Sequence, residues 1–145
     1  QENIIFIHIG SGKNNSHLSK SLNSHLIKIP FLKRDSLPEI YKICDLLFYP
    51  SIYEGFGLPL LEAMSCGLPI VCSNNSSIPE VVGDAALISD SSDIKQFIKN
   101  ILEILKSKKL YSDLAHKSLI RSKFFDENKI INNITNIYKK EFDKN

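Results

Sequence analysis

Short apolar runs bounded by turn residues alternate with segments of helical period through the first two thirds of the chain. Five runs read as strands: residues 4–9, 25–29, 46–49, 69–72 and 86–88. They are continuously apolar more than alternating, the pattern of strands covered on both faces of a parallel sheet. A helix is predicted from Ser36, where Ser36 and Glu39 have capping-box spacing and Leu37, Ile40, Tyr41 and Cys44 recur at three, four and seven residues. That stripe is expected to face the sheet. A second helix starts near Leu58, with Pro59 in its first turn and Gly67 marking its left-handed end.

From Ser92 onward strand signals cease, and helices are predicted over residues 93–107, 110–121 and 127–142. In the last of these Ile130, Ile131, Ile134, Ile137, Tyr138 and Phe142 form one apolar face that calls for a surface to lie on. Alternating βα units followed by helices define an α/β class, a Rossmann-like doubly wound parallel sheet with a helical C-terminal tail. No internal repeat or flexible linker interrupts it, so residues 1–145 are read as a single domain.

Composition narrows the function little. The 145 residues are 43% hydrophobic and 23% charged, ordinary for a globular domain. A formal net charge of +2, with lysines scattered among acids, gives no reason to expect a nucleic-acid partner. Cys44, Cys66 and Cys72 are odd in number and lack the paired spacing of a zinc site or disulfide framework, which points to a reducing, cytoplasmic setting. No apolar stretch approaches the roughly 18 residues of a membrane span. The chain begins at Gln1 almost inside an apolar run, so it is expected to be truncated at its N-terminal side.

The specific chemistry lies in Tyr53-Glu54-Gly55-Phe56-Gly57-Leu58-Pro59-Leu60-Leu61-Glu62-Ala63-Met64, directly after the third strand. Gly55, Gly57 and Pro59 make a helix through the first half improbable, so the geometry is loop then helix. Glu54 then sits in the turn leaving the strand and Glu62 one turn into the helix. The first N–H groups of that helix have no intrahelical partner and favour an anion, while Gly55 and Gly57 let a ligand approach the backbone. Acids beside an anion site make sense for a ligand carrying both diphosphate and hydroxyl groups: amides take the phosphates and carboxylates accept from the hydroxyls. A nucleotide sugar meets these demands, in the crevice at the carboxyl ends of parallel strands.

These residues resemble the large group of retaining glycosyltransferases called family 4, the glycosyl transferases group 1 type, with its two-domain GT-B architecture. The matching text is Tyr49-Pro50-Ser51, Glu54 through Met64, Cys66-Gly67-Leu68-Pro69-Ile70-Val71, and Ile78-Pro79-Glu80-Val81-Val82-Gly83-Asp84-Ala85-Ala86, with the helix before Asp45 matching what usually precedes them. The resemblance implies that the chain is the C-terminal, donor-binding half of a larger enzyme. It implies that Glu54 faces the donor sugar and helps a positively charged transition state, and that Glu62 holds the ribose hydroxyls. The amides of Gly55, Phe56, Gly57 and Leu58 would touch sugar and phosphate, and Phe31 and Leu32 would lie near the base. Pro30 stands where the family usually has glycine, a departure that bears on those base contacts.

The acceptor implied is a growing glycan or lipid-linked glycan, held by an N-terminal domain. A lipid-linked acceptor implies peripheral association with the inner face of the membrane. In that family an arginine and a lysine upstream of the first strand here oppose the diphosphate, and the C-terminal helices often reach the partner domain. No cofactor is expected, and no bound metal, since the acids are scattered without an Asp-x-Asp pair.

Plainer readings compete with several residues. Glu54 and Glu62, each alone, would pass as solvated acids; their spacing and company reverse that. Gly10-Ser11-Gly12-Lys13 lacks the ending of a phosphate loop and is read as a turn. Ser76 and Ser77 are read as caps of a short helix from Ile78, with Glu80 completing a capping box. His8, His17, His25 and His116 lack metal-ligand spacing, and Cys66 is read as a buried small hydrophobe. Two other functions remain: a non-catalytic nucleotide-binding subunit that works with a separate acceptor-binding chain, and a flavodoxin-like module, which leaves Glu54, Glu62 and the glycines unexplained.

Overall fold

Each apolar run read as a strand is one in the computed structural model, in which residues 4–10 and 25–142 are described. The chain divides into two units, Gln1–Leu37 and Pro38–Asn145. In the first, β1 (Phe6–Ile9) pairs in parallel with β2 (Leu26–Ile29), Phe6 opposite Leu26 and Ile9 opposite Ile29. Ile7, Ile9, Leu26 and Ile29 are half-buried while their neighbours face outward. Of the turn read at Gly10-Ser11-Gly12-Lys13, only Gly10 lies within the described residues, and His17 also lies outside them.

The second unit is built on the parallel order β3 (Leu47–Tyr49), β4 (Ile70–Ser73), β5 (Ala86–Ser89). β4 is central and all four of its residues are fully buried, as a strand covered on both faces must be. Alternation along it sorts the helices into two layers. Ile70 and Cys72 pack with Leu60, Ala63 and Met64 of α2 (Leu58–Ser65) and with Ile78, Val81 and Val82 of α3 (Ile78–Val82). Tyr41 and Cys44, from α1 (Leu37–Ile43) and its end, join that layer. Val71 points the other way, onto Phe97 and Ile104 of α4 (Ile94–Lys106) and Leu114 of α5 (Lys108–Ser122). The sheets and flanking helices are α/β and Rossmann-like, with α4, α5 and α6 (Glu127–Phe142) as the helical tail.

The punctuation has physical causes. Gly67, at φ +69°, ends α2 in a Schellman arrangement, its N–H donating to Met64 O at 3.0 Å and that of Leu68 to Ala63 O at 3.0 Å. The Asp93 carboxylate caps α4 by accepting from the Gln96 N–H at 2.9 Å, and the Ser107 hydroxyl caps α5 by accepting from Leu110 N–H at 3.2 Å. Ser36 differs from expectation. A 3-10 turn over Arg34–Ser36 runs straight into α1, so Ser36 is already inside helical backbone and does not stand ahead of it as a cap.

The apolar face read on α6 is present and open: Ile130 through Phe142 along it are 42% to 77% exposed. Burial pushes the Cys72 thiol up to about 12, and Cys44 is also raised, by burial first and then by Asp45. Cys66 is half-buried at the end of α2, more open than its reading as a core residue.

Candidate functional site

The loop leaving β3 and the loop leaving β4 meet at the carboxyl ends of these strands, joined by serine hydroxyls. Ser73, fully buried at the end of β4, donates to the Ser51 carbonyl. Ser51 in turn donates through Oγ to Glu54 Oε1 at 2.8 Å. From the second loop, Ser76 Oγ and Ser77 Oγ both donate to the Glu54 carbonyl, at 2.6 and 3.2 Å. The capping reading of these two serines is therefore corrected. Ser77 precedes α3 but makes no side-chain cap, because its hydroxyl is turned across to the neighbouring loop.

Glu62 is fixed from another direction. Tyr41 donates its hydroxyl to Glu62 Oε2 at 3.0 Å. Burial raises the Tyr41 phenol well above its ordinary value, with the Glu62 charge and hydrogen bond next in importance and Tyr49 a smaller contributor. Tyr49 is raised likewise, by burial and then by its hydrogen bond to Glu54. Both phenols therefore stay protonated donors far above neutrality.

Sequence reasoning placed Tyr41 in an apolar stripe and gave Tyr49 no chemistry. The ring of each does pack in the α2–α3 layer, and only the hydroxyl is used at the site. A phenol at an apolar position is the signal that could have been read, since a buried tyrosine hydroxyl usually finds a partner.

Of the other residues expected here, Gly57 precedes α2 at φ +87°, and a Cβ there would lie 2.9 Å from Leu60 Cδ1, so both backbone and packing demand glycine. Leu58 opens the helix and is 54% exposed. Pro59 has no N–H and Leu60 N–H donates to Gly57 O at 2.9 Å, whereas the Leu58 N–H has no backbone partner among the described residues. Gly55 is exposed, with open space where a side chain would be. The Phe56 ring meets the Phe125 ring edge-on at 5.4 Å, so its side chain braces the loop and its amide is what remains for a ligand. Phe125 is in turn covered by the Arg121 guanidinium at 5.3 Å, which donates to the carbonyls of Glu80 and Val81. Leu32 is half-buried and Phe31 is 79% exposed, both within the first unit.

Among the described residues no group of three or more His, Cys, Asp and Glu is arranged to hold a metal ion, and no helix is long and apolar enough to cross a membrane.

Parallel strands, flanking helices and a loop-to-helix crossing at their carboxyl ends are the α/β architecture found in GT-B glycosyltransferase structures. The chain belongs to the glycosyl transferases group 1 family, whose model matches residues 1–119. It is 41% identical over 109 residues to the O-antigen chain mannosyltransferase B of Escherichia coli, an alignment covering 75% of this chain and 29% of that protein. The matched segment thus spans less than a third of the length of this relative. Among solved structures it is similar to Anabaena Alr3699/HepE in complex with UDP, with TM-score 0.83 and 20% identity over 94% of this chain and 41% of that one. It is also similar to the C-terminal domain of a glycosyl transferase group 1 family protein (LpcC) from Francisella tularensis, with TM-score 0.65 and 23% identity over 75% and 58% of the two chains. Family membership removes the flavodoxin-like alternative.

Proposed function

We propose that the chain is the donor-binding, C-terminal half of a retaining glycosyltransferase that moves a sugar from a nucleoside diphosphate sugar to a glycan or lipid-linked acceptor. The observation that carries this reading is the pair of tethered carboxylates, Glu54 and Glu62, on the loop and helix that flank the Leu58 N–H, which has no backbone partner among the described residues. A carboxylate offers about four acceptor sites, so each retains capacity for ligand hydroxyls after its tethers are counted. Glu62 takes the ribose hydroxyls, the amides of Gly55, Phe56, Gly57 and Leu58 meet phosphate and sugar, and Glu54 faces the anomeric carbon. The 41%-identical relative, an O-antigen chain mannosyltransferase, makes a mannosyl donor and an O-antigen-type glycan acceptor the first to test.

Calorimetric titration with UDP, GDP, ADP and their sugars tests the donor assignment. One nucleotide series should bind, and Glu62→Ala should weaken it by about 1.5–3 kcal/mol, the range for hydrogen bonds to a charged group. Unchanged affinity in that variant would refute the role of Glu62.

Phosphate charge on this reading is met by amides and basic side chains, without a cation. The same titration in a chelator should accordingly give the same affinity. Binding lost in chelator and restored by manganese would contradict it.

A further inference from the structure

The loop between β4 and α3 is costly in two independent ways. Ser76 lies at φ +54°, a left-handed conformation that a residue with a side chain rarely adopts, and the buried Oδ1 of Asn75 has no hydrogen-bond partner among the described residues. Strain of this kind persists only where surroundings enforce it, and it clusters at functional sites. What the conformation achieves here is specific: two hydroxyls, Ser76 Oγ and Ser77 Oγ, converge on one carbonyl oxygen, that of Glu54.

The Glu54–Gly55 peptide is trans, so its carbonyl and its N–H point in opposite directions. Fixing the carbonyl toward the serines fixes the Gly55 N–H away from them. That N–H donates to no group among the described residues, and the space beside Gly55 is open. Hydrogen bonds accepted by a carbonyl also polarise its peptide and strengthen the N–H as a donor.

We propose that Ser76 and Ser77 are positioning residues that clamp the Glu54 carbonyl and thereby aim the Gly55 amide at the sugar–diphosphate portion of a nucleotide sugar. This rests on the donor-site reading given above. The strained loop is then part of the site, holding one peptide plane in orientation before the ligand arrives.

Ser76→Gly separates positioning from folding, because glycine accepts the positive φ without strain while removing the hydroxyl. The test titrates the chain, Ser76→Gly, Ser77→Thr and the Ser76→Gly/Ser77→Ala double variant with UDP-glucose and GDP-mannose, each against the matching monophosphate, UMP or GMP. The thermal midpoint of Ser76→Gly should not fall below that of the unaltered chain. Its affinity for the nucleotide sugar should drop about tenfold, as for one to two lost hydrogen bonds, with affinity for the monophosphate unchanged. The double variant should lose at least as much, and Ser77→Thr, which keeps a hydroxyl, should bind like the unaltered chain. Nucleotide-sugar affinity in the double variant within twofold of the unaltered chain overturns the clamp and leaves the donor site standing. An equal loss for monophosphate and nucleotide sugar also overturns it, by showing a general distortion. If the unaltered chain binds neither nucleotide sugar nor monophosphate, the donor-site reading itself fails and the clamp falls with it.

Discussion

Glu54→Gln in the complete protein is expected to lower kcat by about 10²–10³-fold while donor affinity changes by no more than about threefold, the magnitude seen when one electrostatic stabiliser of developing charge is removed. The asymmetry comes from what the substitution keeps. Glutamine has the shape of glutamate, and its amide oxygen can still accept from the Ser51 hydroxyl that holds Glu54 Oε1 at 2.8 Å. The loop is held independently through the Glu54 carbonyl by Ser76 and Ser77, so the backbone amides that meet the donor stay in place. What is lost is the negative charge, together with one accepting oxygen that becomes an NH2 donor. On the proposed mechanism that charge matters when positive charge builds at the anomeric carbon as the diphosphate departs, and much less while the donor is intact. An interaction made mainly in the transition state lowers kcat and kcat/KM together. Steady-state kinetics with a direct measurement of donor affinity checks this, and a rise in KM at unchanged kcat would make Glu54 an ordinary binding residue.

Much of this arrangement was legible in the sequence because its signals are local. Strand runs and the glycines before and after α2 each arise from residues close together in the chain, and each element appeared within one or two residues of its reading. The Glu54–Glu62 spacing was legible for the same reason. What was missed joins distant segments. Ser76 and Ser77 have the spacing of a cap, and nothing in their neighbourhood says that a carbonyl 22 residues earlier in the chain competes successfully for their hydroxyls. Tyr41 fits an apolar stripe, and its ring obeys that pattern; the hydroxyl finds Glu62, 21 residues away, only once α1 and α2 are packed. Periodicity reports which face of an element is buried, not which polar atom at its edge meets which partner.

The largest effect expected is the difference between binding and transfer. On the proposed function, the 145-residue chain is expected to bind a nucleotide sugar yet to transfer no sugar to an acceptor, and transfer is expected only where it is joined to an acceptor-binding half. Departure of a nucleoside diphosphate needs positive charge placed against it, since stabilising developing charge is usually the largest single contribution to catalysis. In the second unit Arg121 is engaged with the Glu80 and Val81 carbonyls and two phenylalanine rings, which holds it away from that task. The acceptor must also be held with its hydroxyl in line with the anomeric carbon and water kept out. Such positioning is worth about 7–11 kcal/mol at its upper limits, a contribution that a donor-binding half cannot supply from one side. The 41%-identical relative is more than three times the length of the matched segment, which leaves ample chain in such a protein for an acceptor-binding half. Mass spectrometry of acceptor incubated with donor and either protein decides the matter. Sugar-extended product from the 145-residue chain alone would show that its own residues complete the site. Product appearing only when a separate acceptor-binding chain is added would establish instead the two-subunit arrangement, with Glu54 and Glu62 serving the same donor.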